Sequence, residues 1–297
     1  MRSDPIYSVV ELLAGSPVLF VVLAVVLGLI VGSFLNVVIY RLPLMMEREW
    51  RAQCAELLDQ PVPDADQPVF NLWTPRSCCP HCGHLITAVE NIPLLSFIRQ
   101  RGRCAHCQAA ISGQYPLVEA VGGLLAGVVA WKLGFGGPAL AALLFTWTLL
   151  AASVIDFKRQ LLPDDLTLPL LWLGLAVALW GGPFADLPSA VIGAMAGYLS
   201  LWTVYQAFRL LTGREGMGHG DFKLLAALGA WAGWQSLIAI VLLSSLVGAV
   251  VGLALILFRG HDRSVPMPFG PFLAAAGWIV LLWGEGINRL WLGWLGG

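Results

Sequence analysis

Charge is what this sequence has least of. Only 12% of its 297 residues are Asp, Glu, Lys or Arg, about half the share a soluble domain carries. The net charge of −1 gives no argument for a nucleic-acid partner. The N-terminus lacks the basic cluster of a cleavable signal peptide. Asp4 and Glu11 precede the first apolar run, and that run, 17–39, is longer than a signal sequence's core. It reads as a retained first helix. No apolar run contains a cysteine, and no Gly-rich strand–turn–helix signature for a nucleotide occurs. What remains is 58% hydrophobic, with 33 Gly and 13 Trp, residues favoured in and beside membrane helices. Apolar runs of this number and length exclude a soluble domain.

The runs predict an all-α polytopic membrane protein with about eight transmembrane helices, at about 17–39, 115–134, 137–155, 166–181, 188–208 and 268–284, with two more inside 222–258. That last stretch is too long for one crossing at about 1.5 Å per residue, and it divides near Trp234–Gln235. Seven spans is the nearest rival. A polar segment from Tyr40 to Gln114 separates the first span from the rest. The sequence thus divides into a first transmembrane segment (1–39), a cysteine-bearing loop domain (40–114) and a seven-helix membrane core (115–297). With that loop in the cytosol, only Arg2, Lys132 and Arg289 of the 17 Lys and Arg residues fall on the opposite face. This bias follows the positive-inside rule. It places both termini on the face away from the cytosol.

The loop holds Cys79-Pro-His-Cys82 and Cys104-Ala-His-Cys107, 21 residues apart. Two such pairs supply four thiolates, the set tetrahedral Zn²⁺ prefers. A cytosolic loop is reducing, which disfavours disulfides. Because the segment lacks a long apolar core, a metal would stabilise it usefully. The expectation is a structural zinc site on Cys79, Cys82, Cys104 and Cys107. A redox CxxC role and unliganded thiols are the alternatives. His81, His84 and His106 are reserve ligands, and Cys54 and Cys78 are spares.

Two aspartates stand at apolar boundaries. Asp156 ends the third span, and Asp221 follows Gly216-Met217-Gly218-His219-Gly220 at the start of the sixth. A carboxylate there is costly without water or a partner. The glycines before Asp221 permit close backbone approach and positive φ. Two close carboxylates can share a proton, one acting as base toward water and the other as acid. The competing reading is that Asp at a helix start is a cap or a dipole partner. Asp164, Asp165 and Asp262 lie at the same face, and capping accounts for one of the first two.

With these residues in place, the chain resembles the bacterial type IV prepilin peptidases, the prepilin leader peptidase/N-methyltransferases of the GxGD aspartic peptidase class. The matching stretches are GSFLNVVIYRLP at 32–43, CPHC, CAHC, ENIPLLSF at 90–97, RGRC at 101–104, Ile155-Asp156, LLPD at 161–164 and GMGHGDFK at 216–223. The likeness runs from the first span onward. It implies an inner-membrane enzyme of type IV pilus biogenesis and type II secretion. Such an enzyme cleaves the leader of prepilins and pseudopilins after a glycine at the cytosolic face. It then methylates the new N-terminus with S-adenosylmethionine. The family's catalytic aspartates fall on Asp156 and Asp221, and its zinc cysteines on Cys79, Cys82, Cys104 and Cys107. Its methyltransferase segment falls on Gly102 and Arg103, with Glu90 and Glu119 as polar candidates nearby.

Three other classes compete with this reading. A transporter would carry polar groups near the bilayer midplane, and most spans are poor in them. A membrane scaffold or assembly protein with a structural zinc loop would leave the aspartates incidental. A thiol redox enzyme would need its cysteines and not its aspartates.

Overall fold

The computed structural model describes residues 5–61, 69–214, 216–259 and 267–295. Among them the chain is all-α, and its only β features are isolated bridges, Cys78 to Leu85 and Arg103 to Ala110. Five helices are long and apolar enough to cross a membrane, so this is a multi-pass membrane protein. The chain divides into two compact units, 1–139 and 140–297.

The first unit begins with α1 (Pro5–Gly15) and α2 (Pro17–Leu57). Proline at the first position of α2 loses no helical hydrogen bond there. α2 does not stop at Ile39. Its 41 residues extend about 60 Å, twice the hydrocarbon core of a bilayer. The polar half, through Pro43, is held by contacts beyond the span. The buried Arg41 guanidinium donates to Asn71 O at 2.8 Å and Pro75 O at 2.6 Å. Arg41 and Arg48 also lie over the Phe70 ring.

After the loop come α3 (Leu95–Arg99) and α4 (Gln114–Leu133). Gly28, Gly32 and Asn36 recur every four residues along α2 and so form one stripe. A Cβ on Gly28 would lie 2.6 Å from Gly122 O of α4, and one on Gly32 would lie 2.7 Å from Glu119 Cα. These absent side chains let the backbones approach, which is how helices associate where lipid removes the hydrophobic drive. Asn36 Nδ2 closes the seam by donating to Tyr115 O at 3.1 Å. Val22, Val26, Ile30 and Phe34 of α2 are exposed.

The second unit contains α5 (Gly137–Arg159), α6 (Asp164–Leu179), α7 (Leu187–Thr212), α8 (His219–Ala232), α9 (Leu237–Arg259) and α10 (Gly270–Leu295). The stretch 222–258 breaks at Gly233, whose φ is +77°, and a 3₁₀ turn, Trp234–Ser236, leads into α9. α8 packs against α6, α7 and α10. Its residues from Phe222 to Trp231 are buried with one exception, Lys223. A helix apolar on all sides belongs in such a central place. Gly193 and Gly197 on α7 admit it: a Cβ at 193 would strike Gly229 O, and one at 197 would lie 2.6 Å from Leu225 O. Trp231 Nε1 fixes α8 to α6 by donating to Leu170 O at 2.8 Å.

Candidate active site and candidate metal centre

α5 and α8 each bring one aspartate to the same place. Asp156 lies in the last turn of α5, where Gln160, with φ +52°, donates its N–H to Asp156 O at 2.8 Å. Asp221 lies in the first turn of α8. Both are buried, at 5% and 8% exposure, and Asp221 lies within electrostatic reach of Asp156. Asp156 Oδ2 accepts the backbone N–H of Gly270 at 3.0 Å. Asp221 Oδ1 is buried without a hydrogen-bond partner among the described residues.

Leu162 packs against two glycines beside the pair. A Cβ on Gly220 would lie 2.7 Å from Leu162 Cβ, and one on Gly270 would lie 3.1 Å from Leu162 Cδ1. The glycine before Asp221 is therefore needed for close approach. The positive φ that these glycines permit is not used at Gly218 or Gly220. His219 packs edge-on against Tyr205 and tilted against Phe222, with ring centroids 5.1 and 5.4 Å apart.

The capping expectation for Asp164 and Asp165 is corrected. Pro163 is the N-cap of α6, with no side-chain cap bond. Asp164 instead accepts from Lys223 Nζ at 2.6 and 2.7 Å, because the first turns of α6 and α8 adjoin. Asp262 lies outside the described residues.

In the first unit the four paired cysteines converge. The sulfurs of Cys79, Cys82, Cys104 and Cys107 all lie within 4.8 Å of one another. The two loops share one hydrogen-bond pattern. Cys79 N–H donates to His84 O, Gly83 N–H to Cys79 O and Ile86 N–H to Ser77 O. Cys104 N–H to Ala109 O, Gln108 N–H to Cys104 O and Ile111 N–H to Gly102 O repeat it. Gly83 at φ +71° and Gln108 at φ +61° occupy equivalent corners. Backbone N–H groups of His81 and Cys82 point at the Cys79 sulfur and pull that thiol down to about 7. Those of Cys107 and His106 lower Cys104 in the same way. The set suits a thiolate-binding metal, and no histidine belongs to it. His84 instead lies 3.3 Å from Glu90 and stacks on His106, with centroids 5.4 Å apart. Cys54 and Cys78 are exposed, outside the cluster.

Gly102 has φ +70° and lies over the Phe97 ring, where a Cβ would come within 3.1 Å. Arg103 is exposed beside it. Glu119 is buried and accepts the Leu94 N–H at 2.8 Å, at the head of α3. The residues that sequence reasoning missed are Arg41 as a loop anchor and Gly270 as a partner of Asp156. The signal for Gly270 was present: Phe269-Gly270-Pro271 is turn chemistry directly before a helix.

Known proteins add the comparison that geometry cannot. The model of the bacterial peptidase A24 N-terminal domain matches residues 26–133, and that of the type IV leader peptidase family matches 143–253. A prepilin leader peptidase/N-methyltransferase of Aeromonas hydrophila is 60% identical over 282 residues, 95% of this chain and 97% of the relative. One from Pseudomonas aeruginosa is 55% identical over 282 residues, with the same coverage. One from Burkholderia pseudomallei strain K96243 is 54% identical over 263 residues, 88% of this chain and 84% of the relative. No solved structure matches. At this identity over nearly the whole length, the chain belongs to the type IV leader peptidase family.

Proposed function

We infer that this inner-membrane protein removes the leaders of type IV prepilins and type II secretion pseudopilins after a glycine, then N-methylates the new N-terminus. The observation that carries the peptidase half is the buried convergence of Asp156 and Asp221 in a chain of this family. The pair flanks one water and the scissile carbonyl. One carboxylate takes a proton from the water as its oxygen bonds to the carbonyl carbon. The protonated partner donates to the carbonyl oxygen, and the C–N bond then breaks as the amine takes up a proton.

Eight crossings follow if α2 and α4 to α10 each span the bilayer. The polar segment 40–114 then faces the cytosol and both termini the periplasm. We assign three segments: 1–39 as the first span, 40–114 as a zinc-binding domain and 115–297 as the membrane core. Cys79, Cys82, Cys104 and Cys107 would hold one Zn²⁺, whose part is to tie the two CxxC loops together. S-adenosylmethionine, when bound, supplies the methyl group. Gly102 and Arg103 are the proposed contact segment, which the tight turn over Phe97 presents at the loop surface.

The test is incubation of the purified chain with a prepilin, with and without S-adenosylmethionine, and mass analysis of the products. Asp156→Asn and Asp221→Asn keep side-chain size but remove the acid. Each alone is expected to abolish leader removal at normal protein level, while a pilin already cleaved is still methylated. Near-normal cleavage by a well-expressed Asp221→Asn protein would sink the aspartic mechanism and favour a scaffold role.

A further inference from the structure

The first turn of α10 touches the last turn of α5 across 114 residues of sequence. There the Gly270 N–H donates to the buried Asp156 Oδ2 at 3.0 Å. The contact depends on glycine. A Cβ at this position would lie 2.6 Å from Asp156 Oδ2 itself, so any other residue would push the carboxyl away. It also depends on the helix start. Gly270 opens α10 and Pro271 follows, so this N–H is one of the first-turn amides that no helical carbonyl takes. The positive end of the helix favours an anion there.

Asp221 is placed differently. It too sits in a first turn, that of α8, yet no amide reaches its buried Oδ1 among the described residues. A buried, unpaired carboxylate oxygen is costly in the ionised form and far less so in the neutral acid. Few other charges adjoin the pair. α6 brings Asp164, which is engaged by Lys223 of α8. α7 brings Tyr205, against His219. α5 itself adds Lys158 and Arg159, both exposed, and the first turn of α10 adds none.

We propose that Gly270 is a positioning residue whose backbone N–H holds Asp156 as the ionised base of the pair and thereby leaves Asp221 as the acid that carries the proton. The proposal rests on the reading of Asp156 and Asp221 as the catalytic pair. In the reaction Asp156 removes the proton of the attacking water. Asp221 gives its proton to the carbonyl oxygen and regains one as the tetrahedral carbon collapses. The proton held by Asp156 leaves on the amine.

The test removes that hydrogen, and its one other change is to make the Phe269 carbonyl, which accepts the Phe272 and Leu273 N–H groups, a weaker ester acceptor. The full chain is made by cell-free translation into lipid nanodiscs with glycolic acid at position 270, which replaces the amide N–H by an ester oxygen. kcat/KM for prepilin cleavage is then measured against pH. One charge-assisted hydrogen bond corresponds to a rise of about one to two pH units in the acid limb, with the alkaline limb unmoved. Gly270→Ala, which keeps the N–H but displaces the carboxyl, is expected to lower kcat about a hundredfold with little change in KM. Gly286→Ala, also on α10 and with nothing within 4 Å of its Cβ, serves as the control with wild-type activity. An unmoved acid limb overturns the proposal, and so does a shift of the alkaline limb alone. A folded ester protein dead at every pH overturns it too, since one hydrogen bond moves a limb without removing the carboxyl. Cleavage by Asp156→Asn is the separate outcome that sinks the catalytic pair itself.

Discussion

The Glu90 carboxylate accepts the Thr87 N–H at 2.9 Å and the Thr87 hydroxyl at 2.7 Å. His84 Nε2 adds a third contact at 3.3 Å. The Thr87 backbone and hydroxyl, in that order, and then His84 draw the acid down from 4.5 to about 2. Because the folded value lies below the unfolded one, this network stabilises the loop above about pH 4.5. The contribution is lost as the pH falls toward 2. Hydrogen exchange at the Thr87 amide, corrected for its intrinsic rate, is expected to accelerate relative to neighbouring amides as the pH drops through that window. In Glu90→Gln protection at neutral pH is lower, because a neutral amide oxygen accepts more weakly than a carboxylate, and it shows no such transition. Equal protection in both proteins at pH 6 would refute this. Other rare charges are likewise met by backbone groups: Arg41 by two carbonyls and Glu119 by the Leu94 amide. Composition gives their scarcity, but these partners lie 25 to 34 residues away, beyond any local pattern. That is why Arg41 was readable as a positive-inside charge and not as a clasp.

Among the elements, the paired CxxC loops are the plainest case of spacing read correctly as proximity. Each loop brings two thiols, and the four sulfurs gather within 4.8 Å. The purified protein is expected to carry about one zinc per chain, the stoichiometry of four-thiolate sites. Cys79→Ser is expected to lower the zinc content and expose the loop 76–112 to protease. Leader cleavage should survive in part, because Asp156 and Asp221 lie on other elements, and methylation should suffer more. Full zinc retention in a chain lacking all four paired cysteines would defeat the assignment. The likeness of the two loops was not legible, because Gly83 and Gln108 hold the same left-handed corner with different residues. Spacing alone also missed the end of α2, since Pro43 and four charges between 47 and 51 look like a helix stop. Contacts of Arg41 and Arg48 with the Phe70 region hold the helix through them. The Asp164 cap failed for a related reason: its partner, Lys223, lies 59 residues away.

For the whole molecule, the uneven placement of basic residues is the argument for the proposed orientation. A reporter inserted within 52–70 is expected to behave as cytosolic, and one fused after Gly297 as periplasmic. Both reporters in the cytosol would reveal an odd number of crossings, and the opposite pair of results would invert the orientation. The division of labour among helices was legible in part. The apolar runs marked where helices lie, but not that α8 is sheathed by α6, α7 and α10, because an all-apolar helix reads alike in lipid and in a protein core. The bond from Gly270 to Asp156 also has a consequence for the order in which the protein is made. The ribosome delivers Asp156 first, and the amide it needs is 114 residues behind. At about 5–20 residues per second, that is a delay of roughly 6–23 s. Asp221 follows after 65 of those residues, and for the remaining 49 the nascent chain holds both aspartates without the last clamp. A chain released before α10 is translated would contain every acidic group of the site and lack the contact that tells the two apart.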